Sequence, residues 1–374
     1  MTTTTSPLRI LYIADSTSIH TVRWIRFFAE RGHKVALCSQ SPLQHGLEVD
    51  RFSPLSTRGG LPGTRLLSNV REVRRAIRAF KPDVIHAHYI NESGWLGALS
   101  GFRPFALTAW GSDIYLAPKQ SKLAAKLSPW SVARADYVTA DSFDQIEQLK
   151  KMGARHTEMI GWGVELDAYP RAIGDQWRQQ RDISDDQIMV LSPRQWIGNS
   201  NIDIIVQAWA KVRKACPDAL LILKRMKGEA PFNARIEAQI AALKLGASVR
   251  IVEEMPESDL PAMYAAADIA VSVCSSDGTP VSVLEAMAAA TPVIAGELPS
   301  LSEWVKNQKT GFLVAPRDAD ALAARLVELI QNGELRAKLG ARARQIAVER
   351  AGREENLAKI ETALIELALS VTGY

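Results

Sequence analysis

The sequence predicts an α/β protein made of two doubly wound halves, and three observations carry that reading. Short apolar runs of strand character alternate with longer segments of helical period, the pattern of a parallel sheet covered on both faces. The alternation stops once, in a turn-rich and polar stretch over residues 161–186, and then resumes. The chain has 374 residues, 47% hydrophobic and 23% charged, which is an ordinary globular composition and long enough for two domains of roughly 100–200 residues each.

The opening reads β-α-β. A strand over 9–14 is followed by a loop over 15–20, a helix with Val22, Ile25, Phe28 and Ala29 on one face, a stop at Gly32 and a strand over 34–37. Next comes a basic amphipathic helix, in which Arg65, Arg71, Arg74, Arg75, Arg78 and Lys81 interleave with Leu66, Leu67, Val70, Val73 and Ile77. It runs into a strand over 83–88, and an apolar strand over 105–108 precedes Gly111. A helical stretch is expected to break at Pro129, before a strand over 137–140, a helix over 141–152 and a strand over 157–160. The second half repeats the theme, with strands expected at 188–191, 219–223, 249–252, 269–273, 292–295 and 311–314. Helices are expected at 203–215, 232–245 and 281–290, and from Asp318 onward the chain reads as almost all helix. The expected division is 1–168 and 169–353, with a last helix over about 354–374.

Composition excludes several classes. No apolar run reaches the roughly 18 residues that a membrane span needs, since Asp268, Glu285 and Glu366 interrupt the alanine-rich stretches. Residues 1–7 have neither a basic nor an apolar leader region, so a short floppy lead and a cytoplasmic location are expected. Cys38, Cys216 and Cys274 are far apart and lack metal-ligand spacing, which reads as core thiols. The net charge of +4 is uneven: residues 1–170 hold 21 basic against 15 acidic side chains, the rest 24 against 26. The basic helix is either the solvated face of a sheet-covering helix or a surface for anionic lipid or an anionic acceptor; a nucleic-acid partner is not supported, because no aromatic-basic motif accompanies it. His86 and His88 share a strand face but have no third ligand nearby, and Asp318 and Asp320 sit at a helix start where acidic residues act as caps, so no metal site is expected.

No glycine-rich dinucleotide or P-loop motif is present. The richest segment is Ser275 to Ala288, a strand end, a glycine turn and a helix start with carboxylates at Asp277 and Glu285. The amides of Gly278, Thr279, Pro280 and Val281, of which Pro280 supplies only its ring and carbonyl, bring the chain to a helix N-terminus suited to phosphate without a metal. Asp277 and Glu285 could accept hydrogen bonds from sugar hydroxyls on either side.

Asp277-x7-Glu285, followed by Ala-Met-Ala and Thr291-Pro-Val-Ile294, resembles the E-x7-E signature of retaining glycosyltransferases of family 4. Arg31-Gly-His-Lys-Val35, Lys81 to Tyr89, Gly161-Trp-Gly-Val-Glu165 and Thr310-Gly-Phe-Leu-Val314 look like further landmarks in order, so the resemblance covers nearly the whole chain. It implies a GT-B fold, with two Rossmann-like doubly wound domains facing across a cleft, an N-terminal one for the acceptor and a C-terminal one for the nucleotide-sugar donor, and a last helix that returns to the first domain. It implies transfer of a sugar from a UDP- or GDP-linked donor to a hydroxyl acceptor, possible acceptors being a lipid-linked or cell-envelope glycan, with retention and with no metal or other cofactor. It places Glu285 on the donor ribose, Asp277 on the sugar hydroxyls and Arg194 on the phosphates. The lysine that usually follows that arginine is absent, and Lys224 or Arg225 is the candidate second cation. Trp110 in Thr108-Ala-Trp-Gly-Ser-Asp113 stands where many members have histidine, so His20, His88 and Asp113, with Asp277, form the candidate catalytic set. Glu253 stands where many relatives have glycine. The rival readings are a GT-B epimerase or phosphorylase and a carbohydrate-binding relative without turnover.

Overall fold

The computed structural model describes residues 7–57, 64–225 and 230–372. Residues 1–6 of the expected lead and the last two residues of the expected C-terminal helix lie outside the described residues. The chain divides into two compact units, Met1–Trp162 with Glu355–Tyr374, and Gly163–Glu354.

The first unit is built on a sheet of seven parallel strands: β1 Arg9–Ile13, β2 Lys34–Ser39, β3 Arg51–Pro54, β4 Val84–His88, β5 Phe105–Thr108, β6 Tyr137–Ala140 and β7 Thr157–Met159. Their order is β3-β2-β1-β4-β5-β6-β7, so the chain reverses direction across the sheet between β1 and β4. Leu11 pairs with Ala36 on one side and Ile85 on the other. The central strands β4 and β5 are buried at every position, which explains their continuous apolar runs. Strand β3 was not expected. It is four residues long, lies at the sheet edge and exposes Arg51 and Pro54, so it lacks the apolar signature of its neighbours. The break expected at Pro129 does not occur: helix Lys122–Val132 runs through it, with Pro129 in its last turn.

Helix Arg353–Thr372 contributes Glu361 to this unit. Its carboxylate accepts from Arg31 Nε at 2.8 Å and meets His33 Nε2 at 2.8 Å, while His33 Nδ1 accepts the Leu8 amide at 2.9 Å. The Nδ1 acceptor role puts the imidazole proton on Nε2, directed at Glu361. The basic helix spans Thr64–Phe80 and buries Val70, Val73 and Ala76. Arg74 bonds the carbonyls of Leu99 (2.8 Å) and Ser100 (3.1 Å), capping the end of helix Glu92–Ser100, while Arg71 and Arg78 are exposed.

The second unit carries six parallel strands: β8 Met189–Ser192, β9 Leu220–Lys224, β10 Val249–Val252, β11 Ile269–Ser272, β12 Val293–Gly296 and β13 Gly311–Val314. The order β10-β9-β8-β11-β12-β13 places its reversal between β8 and β11. Strand alternation sorts the core onto two faces. Val190, Leu221, Ile269, Val271 and Ile294 pack against helices Ile202–Ala215, Ala230–Ala242 and Ala319–Gln331. Met189, Leu191, Ile222, Ala270 and Val293 pack against helices Arg171–Gln179, Leu260–Ala266, Val281–Ala288 and Gly333–Arg350. Glycine permits the closest approach on this second face, where a Cβ at Gly340 would lie 2.0 Å from the Ala290 carbonyl oxygen.

Helix Arg171–Gln179 lies in the stretch expected to be a polar break. Its inward face is Trp177 and Arg178, so the stripe reads as polar although it is buried. The Arg178 guanidinium bonds the carbonyls of Ala266 (2.7 Å), Ser184 (3.1 Å) and Gln187, and pairs with Asp268 at 3.1 Å. Asp268 also accepts the Met189 amide at 2.8 Å, so one buried arginine ties two helices to the start of β8. The three cysteines are free and buried, as expected for core thiols. Asp318 accepts the Ala321 amide at 2.8 Å and so caps its helix, and Asp320 pairs with Lys211.

Candidate active site

In a doubly wound sheet, ligands lie beyond the carboxyl ends of the strands where the strand order reverses. In the second unit that crevice is formed by the segments leaving β8 and β11, and it gathers Arg194, Lys224, Asp277 and Glu285. Arg194, just past β8, forms an ion pair with Asp277, just past β11, and its other terminal nitrogen lies 3.4 Å from Ser282 Oγ. Burial works against the Arg194 charge, but Asp277 and its neighbours more than offset it and hold the guanidinium protonated. Asp277 Oδ1 accepts the Gly278 amide at 2.9 Å, and its backbone carbonyl accepts from Ser300 Oγ at 2.9 Å. The loop is braced from the other side by Asn201, which bonds the Val273 carbonyl and Ser275 Oγ, both at 2.8 Å. Thr279 Oγ1 accepts the Trp304 indole proton at 2.9 Å. Burial pushes the Cys274 thiol up to about 12, with Asp277 adding to the effect against Arg194, so the thiol beside this ion pair stays protonated.

Helix Val281–Ala288 starts at Pro280 without a side-chain cap, which leaves its first amides for other acceptors. Glu285 is 8% exposed on the second turn. Beside it, burial first and then the Glu285 charge and hydrogen bond raise the Tyr264 phenol well above its ordinary pKa. The structure separates the two candidate cations. Lys224 ends β9 with 5% exposure, and burial lowers its pKa against the opposing charges of Glu285 and Glu254. Arg225 instead pairs with Glu253 and Glu237 and stacks over Trp196 at 5.7 Å. The unusual Glu253 is thereby explained as the partner of Arg225.

The candidates of the first unit fall differently. His20 lies in the first turn of helix Ile19–Glu30 rather than in a loop, half-buried against Trp162 at 4.6 Å and Trp110 at 5.6 Å between ring centroids. His88 was expected at an open strand end. It does end β4, where it is 1% exposed with the rings of Trp24, Trp110 and Trp162 around it. Asp113 is likewise fully buried, and its carboxylate accepts the amides of Ile90 (2.8 Å), Trp110 (3.0 Å) and Gly111 (2.8 Å). It therefore holds the Trp110 loop in place. Burial raises it to about 6, against the stabilising pull of those amides.

His86 bonds Thr108 Oγ1 at 2.7 Å through Nε2, and its ring lies 4.8 Å from that of His88. No group of three or more metal-ligating side chains occurs among the described residues. Burial lowers His86 to about 3 and His88 well below its ordinary value. Both imidazoles stay neutral when folded, while the unfolded chain protonates near pH 6.5, so stability is intact above about pH 6.5 and falls as pH drops below it. Urea unfolding at pH 7 and pH 5 should show this loss, and His88→Phe should lessen it; equal losses in the two proteins would remove His88 from the account.

The site features that residue patterns alone did not single out are Trp162, whose indole donates to Asp141 at 3.0 Å, and Trp24. They join Trp110 only in three dimensions, although Trp162 lies in a glycine-flanked stretch that could have marked it.

Residues 9–142 match the family described as glycosyl transferase 4-like, and residues 174–346 match glycosyl transferases group 1. The Bacillus subtilis (strain 168) protein named glycosyltransferase EpsD is 25% identical over 361 residues, covering 92% of this chain and 93% of that protein. Among solved structures, sucrose-phosphate synthase from Thermosynechococcus elongatus aligns with a TM-score of 0.83 at 20% identity, covering 97% of this chain and 100% of that one. Anabaena Alr3699/HepE, solved in complex with UDP-glucose, aligns at 0.82 and 20% identity, covering 96% and 100%. With both halves of the chain matched in order and the fold shared along its length, this protein is an enzyme of the family 4 glycosyltransferases, of hexosyltransferase type and with the GT-B fold.

Proposed function

We propose that the crevice of the second unit binds a nucleoside-diphosphate sugar and that the enzyme transfers the sugar to a hydroxyl acceptor with retention of configuration. The observation that carries this reading is the convergence of Arg194, Lys224 and the start of helix Val281–Ala288 with two carboxylates at one sheet reversal. The cations and helix amides disperse the charge that builds on the diphosphate as the C1–O bond breaks. Glu285 accepts hydrogen bonds from the ribose, and Asp277 from the donor sugar once a diphosphate shares its arginine. The acceptor oxygen bonds to C1 on the face the phosphate leaves, and its proton passes to the departing phosphate oxygen, giving a glycoside and a nucleoside diphosphate. The likeness to Anabaena Alr3699/HepE, solved with UDP-glucose, supports this donor class, as does the similarity to the Bacillus glycosyltransferase EpsD.

The reading needs no metal, since the protein's own cations do the work a divalent ion does elsewhere. Incubation with UDP- and GDP-linked sugars and a glycoside acceptor mixture should release nucleoside diphosphate at the same rate with and without EDTA; activity lost in EDTA and restored by magnesium or manganese would refute it.

We place the enzyme in the cytoplasm, with contact at an anionic inner membrane face. No helix among the described residues is long and apolar enough to cross a membrane. Exposed Leu67 beside Arg71 and Arg78 supports a surface contact. The enzyme should co-sediment with anionic vesicles at low salt, and Arg71→Gln with Arg78→Gln should release it; absence of wild-type sedimentation would defeat the reading. Arg74 is unsuited to this test because it caps helix Glu92–Ser100.

A further inference from the structure

A cavity of about 670 Å³ lies in the second unit, at the other end of the sheet from the crevice of Arg194 and Glu285. Its lining includes Asp268 and Pro292, which precede β11 and β12, so it belongs to the amino ends of the strands. The volume falls within the roughly 300–1,000 Å³ of small-molecule sites. Ala265, Ala289 and Tyr169 give it apolar surface, and Arg171, Arg336 and Arg344 bring three guanidiniums from two helices.

Each of these arginines uses only part of its fork within the protein. Arg336 Nη1 donates to the carbonyls of Leu329 (2.7 Å) and Ile330 (2.8 Å), and its Nη2 has no acceptor among the described residues. Arg344 Nη1 donates to the carbonyls of Leu166 (3.0 Å) and Ala288, while its Nη2 faces only Asp167, a fully exposed carboxylate 3.6 Å away. Arg171 pairs through Nε with Asp175 at 2.8 Å, and its two terminal nitrogens have no acceptor among the described residues. Both surface pairs are screened by water and contribute little. Asp268, the other acid of the lining, is already engaged by Arg178 and the Met189 amide. Donors and positive charge therefore exceed acceptors in this cavity. A phosphate monoester matches that excess, with a charge of about −1.5 to −2 at pH 7 and three strong acceptor oxygens.

Two contacts join this cavity to the crevice. Helix Val281–Ala288 begins in the crevice and ends at the cavity, where Ala288 and Ala289 line it, a distance of about 12 Å at 1.5 Å per residue. Arg344 grips that end through the Ala288 carbonyl. Tyr169, also in the lining, meets the ring of Tyr264 edge-on at 6.3 Å, and the Tyr264 phenol is hydrogen-bonded to Glu285. We infer that the cavity is a regulatory site for a small phosphate monoester, and that its occupancy tightens nucleotide binding in the crevice. The site stands on the cavity and its arginines alone, whereas the coupling rests on the reading that the crevice takes a nucleotide. A phosphate on Arg344 Nη2 leaves Nη1 on the Ala288 carbonyl and fixes the guanidinium from both sides. The helix end is then already ordered when a nucleotide reaches its first turn, so the second ligand binds at a lower ordering cost.

The test is amide NMR of the full deuterated chain titrated with ribose 5-phosphate, glucose 6-phosphate and AMP, and with ribose, glucose and adenosine as their neutral counterparts. At least one monophosphate should saturably shift the amides of Ala289, Ala290 and Ala337, and its neutral counterpart should bind there at least about tenfold more weakly. Arg171→Gln with Arg336→Gln removes two of the three forks, and Ala337→Trp fills the cavity from an exposed helix position. Each should weaken the phosphate by about tenfold or more while UDP binding in its absence stays at the wild-type level. Calorimetry with UDP in EDTA should then show about fivefold tighter nucleotide binding by the wild type when the phosphate is saturating. Failure of every monophosphate to shift the cavity amides, equal binding of a neutral counterpart, or binding undisturbed by Ala337→Trp would overturn the site. A UDP affinity unchanged or weakened by the phosphate would overturn the coupling. UDP bound in neither condition would refute the crevice reading and the coupling with it, while the cavity amides still decide the phosphate site.

Discussion

Arg194→Ala is expected to lower the rate of sugar transfer by about 10²–10³-fold in a chain that still folds. The guanidinium is held protonated at the end of β8, beside the start of helix Val281–Ala288, where the leaving diphosphate's charge develops. Its loss removes one fixed positive charge from a site shielded from water, which is where such charges act most strongly. The same substitution strips Asp277 of its ion-pair partner and leaves a half-buried carboxylate with the Gly278 amide and the Cys274 thiol as neighbours, so a stability loss of about 1–3 kcal/mol should accompany it. Arg194→Lys should recover part of the rate, because it restores the charge without the fork that reaches both Asp277 and Ser282. Steady-state kinetics beside a thermal melt separates the effects. Transfer at the wild-type rate by a folded Arg194→Ala protein would remove this arginine from the chemistry.

The largest effect on stability is expected from Arg178→Ala, at about 3–5 kcal/mol. Arg178 is fully buried and joins the Ala266, Ser184 and Gln187 carbonyls to Asp268. Truncation leaves the Asp268 charge with only the Met189 amide, and it opens space between helices Arg171–Gln179 and Leu260–Ala266, which pack face to face. At about 2–4 °C per kcal/mol for a unit of this size, the melting temperature of the second unit should drop by roughly 10 °C. A change of only a degree or two would show that the guanidinium is dispensable.

What the sequence makes legible follows from what each signal measures. Parallel strands buried on both faces must be nearly continuous apolar runs, so β4, β5, β8, β11 and β12 announce themselves. The edge strand β3 and helix Arg171–Gln179 do not, the first because it is half exposed, the second because its buried face is an arginine whose partners come from distant segments. Asp277 and Glu285 are legible for a local reason: a strand end, a turn and the helix that follows hold both carboxylates within one short segment. Arg194 joins them through resemblance, and Lys224 through its place at a strand end.

His88 and Asp113 show where such reasoning stops. Strand periodicity places His88 at the carboxyl end of β4, as observed, but whether that end is open depends on Trp24, Trp110 and Trp162 arriving from three other segments. Asp113 carries the right side chain beside the right turn, and only the fold reveals that three backbone amides occupy it.

The central claim is that the β8/β11 crevice is a nucleoside-diphosphate site, and calorimetric titration tests it most directly. UDP and GDP should be titrated into the wild type and into Glu285→Ala in buffer containing EDTA. The account predicts saturable binding of at least one nucleotide by the wild type and a roughly 10- to 100-fold weaker affinity for the folded variant, the loss of a hydrogen bond to a charged carboxylate. Binding of neither nucleotide, or equal affinity in the two proteins, would contradict it.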